Sequence, residues 1–337
     1  MTRDWWPLTG VIRRTTRARA RLLVTGHWSP VTEARRAVVA FALWLFLNGS
    51  AIAAGFVFGA FGDTPYSADD EERFPGLIAG MNREPLAFVV HVGDFKAAVA
   101  PCSDELYLQR KEWFELSHHP LVFLPGDNEW TDCRRGFGAG YDPQERMQKL
   151  RQLFFSGSAA LGQRPLALAR QPAATRGAHD YPEHARWEYD GVVFLTLNAP
   201  GPDNNSRAHP EEYSRRLPAM LHWITRGFRL ARTRNAKAVV VVMHANPWNA
   251  VLRPRRGFSE VLATLAAETR AFGGAVLLLH GDTHHYRVDQ PLRESGTGAL
   301  IANLTRVEVF GYPAMNWVRI RVVEENGRVR FEAQPGS

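Results

Sequence analysis

Residues 277–284 read Leu-Leu-Leu-His-Gly-Asp-Thr-His. An apolar run that stops at a glycine, a carboxylate and an imidazole has the form of a buried strand delivering polar groups at its carboxyl end. The same form recurs upstream: Phe-Gly-Ala-Phe-Gly leads to Asp63, Val-Val-His-Val-Gly to Asp94, and Val-Phe-Leu-Pro-Gly to Asp127, Asn128 and Glu129, while Val-Val-Val-Met leads to His244. In open α/β sheets ligands gather at the carboxyl ends of strands. The pattern therefore predicts that Asp63, Asp94, Asp127, His244, Asp282 and His284 share one small volume. Carboxylates drawn together repel and are poorly solvated, so several would have to bind protons unless one or two divalent cations removed the conflict. Two ions about 3.5–4 Å apart need a shared carboxylate, and Asp94, at the end of a central strand, is the natural bridge. A single Gly-Asp after a strand is ordinarily a turn. The inference rests on all five strand ends occurring in series.

Working outward, strand-like runs fall at 56–61, 86–92, 121–124, 192–197, 238–243, 275–279, 299–304, 307–310 and 317–323, with helical periodicity at 104–117, 210–233 and 258–272. The whole reads as a layered α/β domain closed by antiparallel strands. Residues 156–185, rich in Gly, Ala, Pro and Arg, are the least patterned and read as a loop insertion over the site.

The chain of 337 residues carries a net charge of +7. Residues 1–53 hold eight Arg against Asp4 and Glu33, which leaves 33 cationic against 32 acidic side chains in the remainder. A nearly neutral body removes the main support for nucleic-acid binding. Residues 1–35 read as a basic N-terminal region without structure. Residues 36–54 combine a preceding arginine pair, a short apolar core and Ala51-Ile52-Ala53, the pattern of a secretory signal peptide. An uncleaved membrane anchor through 37–54 is the alternative. A span needs about 20 apolar residues, which this run reaches only by borrowing the first core strand. The domain then runs over 55–337, exported to the periplasm or secreted, or held at the outer face of a membrane. Cys102 and Cys133 are the only cysteines. In an exported chain they are expected to pair, tying together the loops that carry Asp94 and Asp127.

These clusters resemble those of the calcineurin-like metallophosphoesterase superfamily, whose members carry Asp-x-His, Gly-Asp, Gly-Asn-His-Asp/Glu, a lone His and Gly-His-x-His in that order. The likeness covers about residues 55–325. It implies a four-layer α/β/β/α sandwich of two mixed sheets, a two-metal centre, and hydrolysis of a phosphate ester by a metal-activated water. Position by position the match is partial. Asp63 and Asp94 match, but Pro65 stands where the first His belongs. Asp127 takes the place of the Asn ligand, and Asn128 that of the acid/base His. Glu129 matches the closing acid, His244 the lone His, and His284 the last His, while Asp282 replaces a His. One ion would then take Asp63, Asp94 and His284, and the other Asp94, Asp127, His244 and Asp282. An alternative register makes Asn128 the ligand. The spellings Gly-Asp-Thr-Pro-Tyr, Gly-Asp-Asn-Glu-Trp-Thr-Asp-Cys and Gly-Asp-Thr-His-His resemble a divergent branch.

The carboxylate-rich donor set favours hard ions among Mn, Mg, Ca, Fe and Zn. Losing the acid/base imidazole removes a group worth about 10²–10⁴ in rate, which leaves three readings: activated substrates, recruitment of His285 or His179, or a slow enzyme. Asn128, Glu129 and His285 are the candidate catalytic groups. Lys96, Tyr66 and Asn198 are candidate contacts to a small phosphorylated substrate, and Arg253, Arg255 and Arg256 read as a plain charged loop or, as the alternative, a rim for an anionic substrate. The rival readings are a degenerate protein of the same fold that binds metal or phosphate without turnover, and a tethered interaction protein.

Overall fold

The computed structural model describes residues 54–337, apart from 135–139, 173–179, 249–255 and 295. The basic region and the signal or anchor segment lie outside the described residues, as do His179, Arg253 and Arg255. Among the described residues, no helix is long and apolar enough to cross a membrane.

The apolar runs form strands in two sheets. β1 (Ala54–Phe61), β2 (Val89–His91) and β3 (Leu121–Phe123) run parallel, and β11 (Val318–Glu325) and β12 (Arg328–Pro335) extend them antiparallel, in the order β12-β11-β1-β2-β3. The second sheet holds β4 (Ala169–Gln171), β5 (Tyr181–Tyr189), β6 (Val192–Leu197), β7 (Ala238–Met243), β8 (Ala275–His280), β9 (Arg287–Asp289) and β10 (Leu304–Glu308) in the order β4-β5-β6-β7-β8-β10-β9. Its centre, β6-β7-β8-β10, is parallel, and its margins are antiparallel.

Residue alternation shows how the sheets are covered. Phe58, Val90, Val122, Phe194, Val240 and Leu279 point into one apolar layer between the sheets. Their alternates on the first sheet, Phe61, Val89 and Phe123, pack under Phe74 and Ile78 of α1 (Ala68–Asn82), Tyr107 and Phe114 of α2 (Asp104–Phe114) and Leu150 of α3 (Pro143–Phe154). On the second sheet Val193, Val241 and Leu278 pack under Trp223 and Phe228 of α4 (Pro210–Thr233) and Leu265 of α5 (Arg256–Phe272). Both faces of the central strands are thus buried, which is why these strands read as unbroken apolar runs. The result is the expected four-layer α/β/β/α sandwich of two mixed sheets.

Two expectations need correction. The run at 299–304 is not a strand. Only Leu304 opens β10, and Leu300 makes a single bridge to Arg293. Residues 156–185 are not a loop over the site in their described parts: Leu161 bridges Leu121, and β4 pairs with β5 at the margin of the second sheet. Helices α1 and α3 lacked a legible pattern. α1 carries Pro75 and Gly76 mid-helix and is held at its start by the Ser67 hydroxyl, which accepts from the Asp70 N–H. His119 is buried, with its Nε2 3.1 Å from the Met81 carbonyl.

Candidate metal centre

The parallel strands of both sheets end at one edge, and the turns after them interlock. The Asp63 N–H donates to the Gly93 carbonyl and the Gly281 N–H to the His244 carbonyl. Between sheets, the Asp282 N–H donates to both Asp63 oxygens at 3.0 and 3.2 Å, and the Gly201 N–H donates to Asp127 Oδ1 at 3.2 Å. Asp63, Asp94, Asp282 and His284 all adopt positive φ, at 52°, 59°, 75° and 60°. Such conformations cost free energy for non-glycine residues and persist where surroundings enforce them. Two glycines make the approach possible. A Cβ on Gly126 would sit 2.0 Å from Asp94 Oδ1, and one on Gly93 would sit 2.7 Å from His244 Nδ1.

The predicted donors converge in two overlapping groups, Asp63–Asp94–His244 and Asp127–His244–Asp282, whose ligand atoms all lie within 4.8 Å of one another. His284 adjoins the first, with its Nε2 3.7 Å from Asp63 Oδ1. Asp94 was read as the bridge, yet His244 is the member common to both groups. One imidazole nitrogen has one lone pair and serves one ion, so a bridge between two ions still falls to a carboxylate.

Hydrogen bonds from ring to backbone set the tautomers. His244 Nδ1–H donates to the Val92 carbonyl at 2.9 Å, and His284 Nδ1–H donates to the Tyr312 carbonyl at 2.9 Å. Each Nε2 is thereby left to ligate, the arrangement typical of metal-bound histidine. His244 Nε2 is fully buried, 2.8 Å from Asp127 Oδ1 and 3.4 Å from Asp94 Oδ1, without a well-directed hydrogen bond to either. The donor set and this orphaned nitrogen fit a divalent cation.

The charges point the same way. Burial pushes the Asp63 and Asp94 carboxyls well above the usual carboxylate range. Burial works in the same sense on Asp127, but the attraction of His244 outweighs it and holds that carboxyl below its ordinary value. Burial opposes charging of His244, yet Asp94 and Asp127 raise it well above the ordinary imidazole value. A buried cation is what this cluster is built to accept.

The remaining predicted residues divide. The Tyr66 hydroxyl donates to Asp94 Oδ2 at 2.8 Å and accepts from Asn128 Nδ2 at 3.0 Å. Asn128 also donates its backbone N–H to Asp94 Oδ1 at 3.0 Å and its amide to the Lys96 carbonyl at 3.0 Å. Its amide is committed to the scaffold. Glu129 is not placed to touch a substrate. It is fully buried, and its carboxylate accepts from the N–H groups of Gly126, Asp94 and Phe95 at 2.7, 3.0 and 2.5 Å, pinning two ligand turns together. Lys96 is likewise fully buried, and its ammonium donates to the carbonyls of Ala97 and Ala100 at 3.2 and 3.0 Å, which leaves it out of reach of a phosphate. Asn198 is buried behind the site, its amide donating to Glu183 Oε1 at 3.1 Å. His285 is exposed beside His284, with its backbone N–H on Glu308. Asp289 is paired with Arg306 at 2.7 Å. Arg256 opens α5 and lines a surface cleft with Asp203, Ser206 and Arg207.

Other supporting residues escaped the sequence reading. The Asn246 N–H donates to Asp282 Oδ2 at 3.0 Å and its amide to Thr283 at 2.9 Å. Its position two residues past His244 was the available signal. Tyr312 acts through its backbone and gave none. Cys102 and Cys133 are joined, with Cα atoms 5.7 Å apart, and both sulfurs lie against the Asn128 carbonyl at 3.6 and 3.7 Å.

No protein-family model matches this chain, and no curated protein matches it in sequence. Among solved structures it is similar to PhoD at a TM-score of 0.51 and 12% identity, over 86% of this chain and 72% of that one. Looser likenesses are to Vps29 of Cryptosporidium parvum (TM-score 0.31, 12% identity, 84% and 98% of the two chains) and to Vps29 of Entamoeba histolytica complexed with zinc (0.28, 9%, 83% and 99%). The PhoD likeness is one of fold and agrees with the sandwich that the motifs implied. The two Vps29 superpositions are too loose to bear on the site.

Proposed function

We propose that this chain is a metal-dependent phosphoesterase acting outside the cytoplasm, with its ions held by Asp63, Asp94, Asp127, His244, Asp282 and His284. The observation that carries the reading is the convergence of these groups at one sheet edge, with both imidazoles turned so that Nε2 faces the carboxylates. Four carboxylates balance the charge of two divalent ions, which suits hard metals. Bound ions would supply Lewis-acid polarisation of a phosphoryl oxygen and an acidified water.

The chain's own groups do the rest. Val92 and Tyr312 carbonyls hold the imidazoles in the ligating tautomer. Tyr66 and the Asn128 N–H fix the two oxygens of Asp94. Glu129 keeps the Asp94 and Asp127 turns in register. Asn128 has no acidic proton, so we assign the exposed His285 as the candidate donor to the leaving alkoxide. The joined cysteines and the segment at 36–54 support an oxidising, extracytoplasmic setting.

The committed amide of Asn128 favours one second reading, a protein of the same fold that binds metal or phosphate without turnover. Full-length protein supplied with Mn²⁺ or Mg²⁺ is to be incubated with chromogenic phosphomonoesters and phosphodiesters. Hydrolysis that is lost in Asp94→Ala is the expected result. Stoichiometric ion binding with no turnover across the panel would favour the second reading, and protein that stays metal-free in excess ion would sink both.

A further inference from the structure

An exposed ring at the metal centre belongs to a residue that no motif singled out. Tyr312 is 43% exposed. Single exposed apolar side chains are ordinary on protein surfaces, and Val99, Leu108, Leu116, Tyr189, Val288 and Leu300 are comparable in exposure. What separates Tyr312 from these is its attachment. Its N–H donates to the Asp63 carbonyl at 3.0 Å, and its carbonyl accepts from His284 Nδ1 at 2.9 Å. Both polar groups of one peptide segment are therefore spent on residues of the metal centre, and the ring is fixed at its rim.

The ring is also backed. Tyr66 stacks against Tyr312 with centroids 5.9 Å apart and planes at 22°, and meets His284 edge-on at 5.3 Å and 71°. The Tyr66 hydroxyl is itself bonded to Asp94 Oδ2 at 2.8 Å. The order inward is thus an exposed ring, a second ring, then a ligand carboxylate. Tyr66 covers one face of Tyr312, which leaves the solvent side of the outer ring for a further flat group. A phosphoryl group at the metal donors would send its alcohol portion outward past this rim.

We infer that Tyr312, backed by Tyr66, is a stacking platform that selects phosphoesters whose alcohol portion carries a flat ring. The inference rests on the phosphoesterase reading. Aromatic platforms of this kind hold planar groups through their π-faces with little demand on hydrogen bonding, so a nucleoside and a benzyl group should both be favoured over ring-free alcohols.

The test compares ester pairs that share a leaving-group type and differ in the ring. For full-length protein loaded with Mn²⁺, kcat/KM is measured on adenosine 5′-monophosphate against ribose 5-phosphate, and on benzyl phosphate against ethyl phosphate. Binding of the corresponding non-hydrolysable phosphonates is measured by calorimetry. Wild type should prefer the ring-bearing member of each pair. Tyr312→Ala and the bulk-keeping Tyr312→Leu should cut that preference about tenfold, chiefly in KM and in phosphonate affinity, and Tyr312→Phe should keep it. A preference for adenosine without one for benzyl would overturn stacking in favour of base-specific contacts. Equal preference in wild type and Tyr312→Leu would overturn the platform while leaving the esterase intact. If no ester is turned over, the phosphoesterase reading falls, and the phosphonate affinities still decide whether the ring selects.

Discussion

His244 and His284 are oriented by the same device, a ring N–H given to a backbone carbonyl, in opposite surroundings. The His244 side chain is 0% exposed, between Asp94 and Asp127, whereas that of His284 is 26% exposed beside Asp63 and under Tyr66. One half of the centre is sealed within the junction of the two sheets, and the other opens toward solvent. The sealed half holds together the fold's charge balance. On the proposed reading, the open half is where substrate would meet a bound ion.

The largest expected effect lies on the sealed side. His244→Ala leaves buried carboxylates without their partner and should destabilise the metal-free protein by about 3–5 kcal/mol while abolishing ion binding, as read by chemical denaturation and elemental analysis. His284→Ala should instead change stability within about 0.5 kcal/mol yet weaken one of two ions by about 10–100-fold. Equal losses in the two variants would erase the distinction. Next in size is Glu129→Gln, which exchanges a carboxylate serving three N–H groups for an amide. It should cost about 1–3 kcal/mol and weaken ion binding without altering the order of preference among esters.

The smallest effect is a slope. In the folded metal-free protein Asp63, Asp94 and His244 hold protons more tightly than in the unfolded chain. Their contribution is fully present below the unfolded values and is lost as pH rises through the folded ones. The gap in melting temperature between loaded and chelated protein should therefore widen as pH climbs past about 3.9, the ordinary Asp value, and should still be widening above about 6.5, that of His. A gap that narrows with rising pH would contradict the proposed ligands.

The sandwich and the convergence of Asp63, Asp94, Asp127, His244 and Asp282 were legible because both follow from short-range pattern. Central strands buried on two faces must be apolar throughout, and Asp63, Asp94, Asp127 and Asp282 are each announced by a glycine at a strand end. What the sequence concealed depended on partners far along the chain. Strand β5 buries the consecutive residues Glu183 and His184, polar residues that read as loop until Arg151 and Gln171 are seen pairing with them at 2.8 and 2.6 Å. Lys96 and Glu129 sit where substrate-binding and catalytic groups are expected. Only the carbonyls and N–H groups around them show that they brace the scaffold. Tyr312 is tied to Asp63 and His284 through main-chain atoms that every residue possesses, so these bonds left no hint in the sequence.

The bond between Cys102 and Cys133 has a practical corollary. It closes a loop of sequence separation 31, a constraint worth roughly 3–4 kcal/mol against the unfolded chain, and that loop contains Asp127, Asn128 and Glu129. The thiol–disulfide history of a preparation thus becomes a hidden variable in any assay. Material made in a reducing cytosol, or stored with dithiothreitol, would keep its sheets and helices yet bind ions less firmly. Titrating activity against a glutathione redox buffer would reveal a midpoint where a purely packing-held turn would show none.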